Sequence, residues 1–295
     1  MSKFRIAGLV IVVIAVAGCQ KDTRVSKLGA AEPAKVVELA RATQVSTEHA
    51  AADVTTLEVH DVFVRGERTR VRVEVPARSK AIVVLFPGGK GVTRITKSGK
   101  LRSGLGNFLT RTRTYFLRRG FTTVVFDGPT DHPRDLRFGF RRTAAHAMDI
   151  GAVIAHLRGR YGLPVWLVGT SRGTTSVVSA ASQLDVHRPD GIVLTSSMLA
   201  PVTNGNHVFD FPLEKISMPV LITHHRDDGC FATLARDVPR LARELITAAP
   251  KAVKFYEGGT PGGNECGARS HHGYQGIEER VIDDIAAWIL DPKGT

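Results

Sequence analysis

A serine held between two glycines is the first chemically suggestive feature of this chain. Gly169-Thr170-Ser171-Arg172-Gly173 follows the apolar run Val165-Trp166-Leu167-Val168 and precedes Val177, Val178, Ala181 and Leu184 at helical spacing. A strand-to-helix turn that tight leaves no room for side chains beside the neighbouring strands, so glycine is needed at both ends and the serine projects alone. A hydroxyl is a weak nucleophile at neutral pH. It needs a base to take its proton, and the base needs an acid to fix its tautomer. Asp227 and Asp228 lie just beyond the late run Val220-Leu221-Ile222-Thr223, and His271 and His272 precede Gly273-Tyr274 near the end of the chain. Attack by the serine would create an oxyanion that requires two N–H donors. Arg172, at the start of the following helix, offers one; Pro87-Gly88-Gly89-Lys90-Gly91 offers the other from Gly88, Gly89 or Lys90.

These residues must be carried by elements that bring them to one edge. Thr55 to Val64 and the alternating Arg70 to Val75 predict an antiparallel hairpin across a turn at Gly66. Continuous apolar runs follow at Ala81–Phe86, Phe121–Phe126, Val165–Val168, Gly191–Thr195, Val220–Thr223 and Ala252–Tyr256, as expected of strands covered on both faces. Ala144, Ala147, Met148, Gly151, Ile154 and Ala155 fall on one helical face between them, and Val281, Ile282, Ile285 and Ile289 on another near the end. Such alternation specifies an α/β fold: a mostly parallel central sheet, helices on both faces, and ligands at the carboxyl ends of the strands.

Taken together, the Gly-x-Ser-x-Gly turn and the residues after it resemble the α/β-hydrolase superfamily of serine hydrolases. That resemblance implies the chain order nucleophile, acid, base, and hence Ser171, Asp228 and His272. Asp228 fits the family spacing better than Asp227, and the His-Gly-aromatic string favours His272 over His271. Gly88-Gly89 is similar to the glycine-rich oxyanion loop of esterases, with Pro87 where a histidine is common, and implies Gly89 as partner to Arg172 in the oxyanion hole. The stretch between Ser197 and Val220 is too short for the large cap that many members insert there. The open site and the His-Gly-Tyr loop also resemble the catalytic domain of prolyl-oligopeptidase-like peptidases, although no propeller sequence precedes it.

The N-terminal residues read as an address. Lys3 and Arg5 precede the apolar run Ile6–Ala17, which is shorter than a membrane span needs. Val16-Ala17-Gly18-Cys19 resembles the bacterial lipobox, with Val16 where leucine is commoner, and implies cleavage before Cys19 and lipidation of its sulfur. Residues 1–18 are then a lipoprotein signal peptide, residues 19–52 a tether with a short helix near 33–43, and residues 53–295 the α/β-hydrolase domain. In an oxidising envelope compartment Cys230 and Cys266 could pair, which leaves none of the three cysteines unassigned. Closing that loop would stabilise the fold by about 4 kcal/mol on the chain-entropy model.

Charge is the abnormal feature of the composition: 40 Lys+Arg against 28 Asp+Glu, a net +12, in a chain otherwise ordinary at 43% hydrophobic. Arg111, Arg113, Arg118 and Arg119 form one concentration, and Arg134, Arg137, Arg141 and Arg142, with Phe138 and Phe140 interleaved, form another. Runs of this kind are expected to be solvated faces, and the second, beyond the strand ending near Asp127, could steer anionic substrates or meet anionic lipid. An export signal argues against nucleic acid. No Gly-Lys-Ser/Thr loop or spaced ligand motif occurs, so neither a nucleotide, a metal nor another cofactor is expected; His224-His225 and His271-His272 should each point apart. The expectation is a lipid-anchored envelope hydrolase of a small-molecule or peptide substrate, most simply a carboxylesterase. The alternatives are a serine peptidase or a non-catalytic lipoprotein that binds a partner.

Overall fold

Eight strands and five helices realise this pattern in the computed structural model, which describes residues 54–137, 139–202 and 207–293. The expected signal peptide, Cys19, the expected tether and its short helix, and Phe138 lie outside the described residues. Strands β1 (Val54–Val64) and β2 (Glu67–Pro76) form the antiparallel hairpin. Its turn places Arg65 at φ 49° and Gly66 at φ 81°, the left-handed pair that matches the twist of a two-residue hairpin loop. Strands β3 (Ala81–Phe86), β4 (Phe121–Phe126), β5 (Val165–Ser171), β6 (Gly191–Ser197), β7 (Val220–His225) and β8 (Lys251–Tyr256) complete one sheet in the order β1-β2-β4-β3-β5-β6-β7-β8. Every pairing after β2–β4 is parallel.

Alternation along each central strand divides the core in two. Ile82, Val84 and Phe86 join helices α2 (Ala144–Tyr161), α3 (Gly173–Gln183) and α4 (Val238–Glu244) in one cluster. Ala81, Val83 and Leu85 join α1 (Phe108–Arg118) and α5 (Glu278–Leu290) in the other. Each fully buried Val, Leu or Ile contributes about 1.5–3 kcal/mol, so β3 and β5, covered on both faces, are held far more firmly than the hairpin edge. The parallel strands end together at one edge, and Ser171, Asp228 and His272 lie at that edge or on the loops leaving it.

Two expectations are corrected. On α2 the buried face is His146, Ala147, Asp149, Ile150, Gly151, Val153, Ile154 and Leu157, whereas Ala144 is exposed and Met148 is 48% exposed. The face is rotated because two polar residues are buried with partners: Asp149 with Arg65 at 2.8 Å and His146 with Ser176 at 2.9 Å. The first arginine group is paired rather than simply solvated. Arg111 meets Glu278 at 2.9 Å and Arg119 meets Asp283, tying α1 to α5, while Arg113 meets Glu74 at 3.2 Å.

Candidate active site

Strand β5 runs three residues past its apolar stretch and ends on Ser171, whose φ of 53° lies in the left-handed region. A non-glycine residue there is uncommon, and the neighbouring contacts hold it. A Cβ on Gly173 would stand 1.9 Å from the Phe86 carbonyl oxygen, and one on Gly169 would stand 2.7 Å from the Gly173 carbonyl oxygen. Both glycines are therefore required by close backbone packing. Thr174 Oγ1 donates to the Ser171 carbonyl at 2.6 Å and accepts from the Met198 N–H at 3.2 Å, fixing the turn to the end of β6. The Ser171 hydroxyl makes no hydrogen bond to His272; its one polar contact among the described residues is Met198 Sδ at 4.0 Å. Catalytic hydrogen bonds are often long before substrate arrives.

Asp228 and His272 come together across the edge, with His272 Nδ1 3.0 Å from Asp228 Oδ2. Asp228 is 4% exposed; it also accepts from Cys230 N–H at 3.0 Å and Thr233 Oγ1 at 2.9 Å, and His224 Nε2 stands 3.5 Å from its Oδ2. Burial alone would raise its pKa, but hydrogen bonds from His224 and His272 outweigh burial and hold the carboxyl below the ordinary range. The base loop is pinned from beneath: Ser196 Oγ donates to the His272 carbonyl at 2.9 Å, and the buried Tyr274 hydroxyl donates to the Thr223 carbonyl at 2.9 Å. Asp227 and His271, the neighbours left open by spacing, take no part in this pair. Asp227 is exposed, and the His271 ring stacks on His225 with centroids 4.2 Å apart.

Ser171 and His272 line one small pocket of about 50 Å³ with Gly88, Gly89 and Asn107. Gly88 must be glycine, because a Cβ there would stand 2.9 Å from Ser171 Cβ. Gly89 has φ 60° with open space around its Cα. Neither its N–H nor that of Arg172 has an acceptor among the described residues. The pocket opens beside a larger cleft of about 540 Å³ that shares Gly88, Gly89, Asn107, Cys266 and Ala268 with it.

Cys230 and Cys266 form a disulfide. It joins the loop of Asp228 to the loop of His272, and Cys266 itself lines the pocket. The adjacent histidines do diverge: His224 Nε2 meets the Thr233 carbonyl and His225 Nε2 meets the Gly258 carbonyl at 2.8 Å. One member of each pair nevertheless meets the other, since ligand-type atoms of His225, Asp227 and His271 lie within 4.8 Å of one another. Backbone groups already engage them: His225 Nδ1 accepts from the Asp227 N–H and His271 Nδ1 bonds the Asp227 carbonyl, each at 3.1 Å.

Asn107, Thr233 and Ser196 were not singled out by sequence. Asn107 caps α1 by accepting from the Leu109 N–H at 3.1 Å, which leaves its amide nitrogen at the pocket wall beside Gly88. An asparagine just before an amphipathic segment is a readable cap signal. Thr233 and Ser196 act across the fold and carry no such local sign.

No protein-family model and no curated protein matches the chain. Among solved structures it is similar to Est1E from Butyrivibrio proteoclasticus, at 12% identity and TM-score 0.52 over 79% of this chain and 98% of that one. It is also similar to the esterase Pf2001 of Pyrococcus furiosus, at 11% identity and TM-score 0.54 over 80% and 91%. A sugar hydrolase from Lactococcus lactis matches at 16% identity and TM-score 0.54 over 79% and 97%. At such identities the likeness carries the fold, and the strand order agrees with it: the protein has an α/β-hydrolase fold.

Proposed function

We propose that the protein is a serine hydrolase of carboxylic esters. The observation that carries the reading is the buried Asp228–His272 pair at 3.0 Å beside Ser171 on a positive-φ turn, with Ser171 and His272 on one pocket wall. Ser171 Oγ attacks the acyl carbon as His272 Nε2 takes its proton. Asp228, bonded at Nδ1, keeps the imidazole in the tautomer whose Nε2 accepts and then stabilises the imidazolium. The N–H groups of Gly89 and Arg172 receive the oxyanion. Collapse breaks the bond to the alcohol, which leaves with the proton from His272, and water then releases the acid from the acyl-serine by the same steps in reverse. Esters are favoured over amides because one of the similar structures is an esterase.

Fluorophosphonate labelling tests this reading directly. Purified protein should be labelled at Ser171, and Ser171→Ala should lose labelling and lower aryl-ester hydrolysis by about 10³- to 10⁶-fold. Wild-type protein that neither reacts nor hydrolyses any of a panel of aryl esters and aminoacyl anilides would reject it; anilide cleavage alone would transfer the mechanism to a peptidase. We further propose that the chain is anchored in the cell envelope through Cys19, a reading supported by the charged, apolar and small residues before it and by the disulfide. Cys19→Ala should release the protein from detergent-extractable membrane.

A further inference from the structure

The cleft beside Ser171 is lined by Lys90, Arg94 and Arg134 and, among the described residues, by no acidic side chain. A second cleft, of about 490 Å³, adjoins it through Arg94 and Arg134 and adds Arg68, Arg70 and Arg102. Its one acidic residue, Asp127, is turned into the fold, where its carboxylate accepts from the N–H groups of Thr93, Arg94, Ile95 and Gly128. Asp61 pairs with both Arg68 and Arg70, at 3.4 and 2.6 Å, and leaves that trio with one net positive charge. The side chains of Arg94, Arg102 and Arg134 have no hydrogen bond or ion pair among the described residues.

Exposed arginines without partners are common, and exposure alone carries little weight. Two further observations single this wall out. Arg111, Arg158 and Arg240 are paired with Glu278, Asp190 and Glu244, at 2.9, 2.6 and 2.7 Å, and the exposed arginines that also have no partner among the described residues, Arg78, Arg142, Arg236 and Arg243, line neither cleft. And the wall is positive from behind. Arg141, 3% exposed, donates from Nη1 to Ser176 Oγ, while its Nε and Nη2 have no partner. That guanidinium lies against Gly91, a cleft residue, where a Cβ would stand 2.0 Å from Nη2. Arg172, next to Ser171 and half-buried, has no side-chain partner either. A concave site lined by one sign of charge focuses its field on the enclosed volume.

We propose that the substrate of Ser171 carries a second, anionic group, a carboxylate or a phosphate, which seats in this cleft against Lys90, Arg94 and Arg134. The proposal rests on Ser171 being the nucleophile, but the preference for an anion can be read without turnover. Two probe pairs separate the anion sources: mono-p-nitrophenyl glutarate against p-nitrophenyl pentanoate places a carboxylate on the acyl side, and 1-butyrylglycerol 3-phosphate against 1-butyrylglycerol places a phosphate on the alcohol side.

In wild-type protein the anionic member of at least one pair should have about tenfold higher kcat/KM at low salt, through KM, with the advantage fading as ionic strength rises. In the Arg94→Gln/Arg134→Gln variant the ratio within that pair should fall towards one. Arg160→Gln, paired with Glu58 away from the cleft, should keep it. Titration of Ser171→Ala protein with the same esters should show the same preference as a difference in Kd, so a failed hydrolase reading and a failed anion cleft give different patterns. Equal affinity for both members of both pairs overturns the proposal, as does a preference that survives in the double arginine variant. Retention of the protein on phosphatidylglycerol vesicles with no preference among soluble esters also overturns it, by assigning the arginines to a lipid surface.

Discussion

The two sides of the edge around Ser171 are built on opposite principles. On the side of β7 and the last loop, Asp228 receives hydrogen bonds from Cys230, Thr233 and His272, Ser196 holds the His272 backbone, and a disulfide closes the two loops on each other. On the side of β3 and β4, Arg94, Arg134 and Arg172 have no carboxylate partner, and Arg141 is buried with two unpartnered nitrogens. Groups that must keep one geometry through a reaction are satisfied within the fold, which is what preorganisation requires. Positive groups left unsatisfied at a cleft are completed by something that comes and goes. On the proposed reading, chemistry belongs to the first side and recognition to the second.

Removing charge from the satisfied side should have the largest effect. Asp228→Asn keeps the shape but loses the carboxylate that orients His272, and kcat on p-nitrophenyl butyrate is expected to fall by about 10⁴-fold; a variant within tenfold of wild type would remove Asp228 from the mechanism. The same substitution has a pH signature. Hydrogen bonds hold the folded pKa of Asp228 below its ordinary value of 3.8, so its ionised form stabilises the fold fully above that value and the contribution is lost as pH falls through the lowered folded pKa. Urea unfolding should show a gap between wild type and Asp228→Asn that is steady at about pH 5 to 8 and narrows below about pH 4.

Opening the disulfide tests whether that side depends on being cross-linked. Cys230 and Cys266 are 36 residues apart in sequence, so their bond removes about 4 kcal/mol of unfolded-chain entropy. The Cys230 N–H also fixes Asp228 Oδ1 at 3.0 Å. Cys230→Ser/Cys266→Ser should lower kcat by about 10²-fold through misplacement of acid against base, along with a lower Tm. A variant that loses stability and keeps full turnover would show that the bond serves the fold alone.

How much of this the sequence disclosed depended on whether the informative contact was local. Continuous apolar runs mark β3 to β7, since a strand covered on both faces has no polar alternative, and alternation marks the hairpin; β8, expected to be covered on both faces like them, is instead an edge strand with Lys254 exposed. The ends of β5 and β7 escape this signal because they run on into Thr170-Ser171 and His224-His225, polar residues at the site edge of which all but the half-buried Ser171 are buried. The choice of Asp228 over Asp227 and of His272 over His271 rested on resemblance, because adjacent residues on a loop differ only in which way the loop turns them. Here the loops turn Asp228 and His272 inward and leave Asp227 exposed. Arg141 was the furthest from sight: within a charge run it reads as solvated, yet the loop after β4 folds it beneath Gly91.

That buried arginine sets the smallest effect and the sharpest test of the contrast. Burial, with the charge of Arg172 nearby, pushes the Arg141 guanidinium down to about 9, still cationic at neutral pH, and an unpaired buried cation destabilises the fold that contains it. Arg141→Met replaces the charge with an apolar chain of similar length, and Ser176 Oγ keeps His146 Nε2 at 2.9 Å as its partner. If Arg141 serves recognition, the variant should unfold at a higher temperature, by a margin equivalent to about 1–4 kcal/mol. It should also lose part of the Tm increase that glutarate or phosphate gives the wild type, because a ligand stabilises a fold in proportion to its affinity for the folded state. Differential scanning calorimetry with and without each anion measures both. A variant less stable than wild type, with the anion response intact, would make Arg141 a structural prop of the Gly91 loop and return the second side of the edge to ordinary packing.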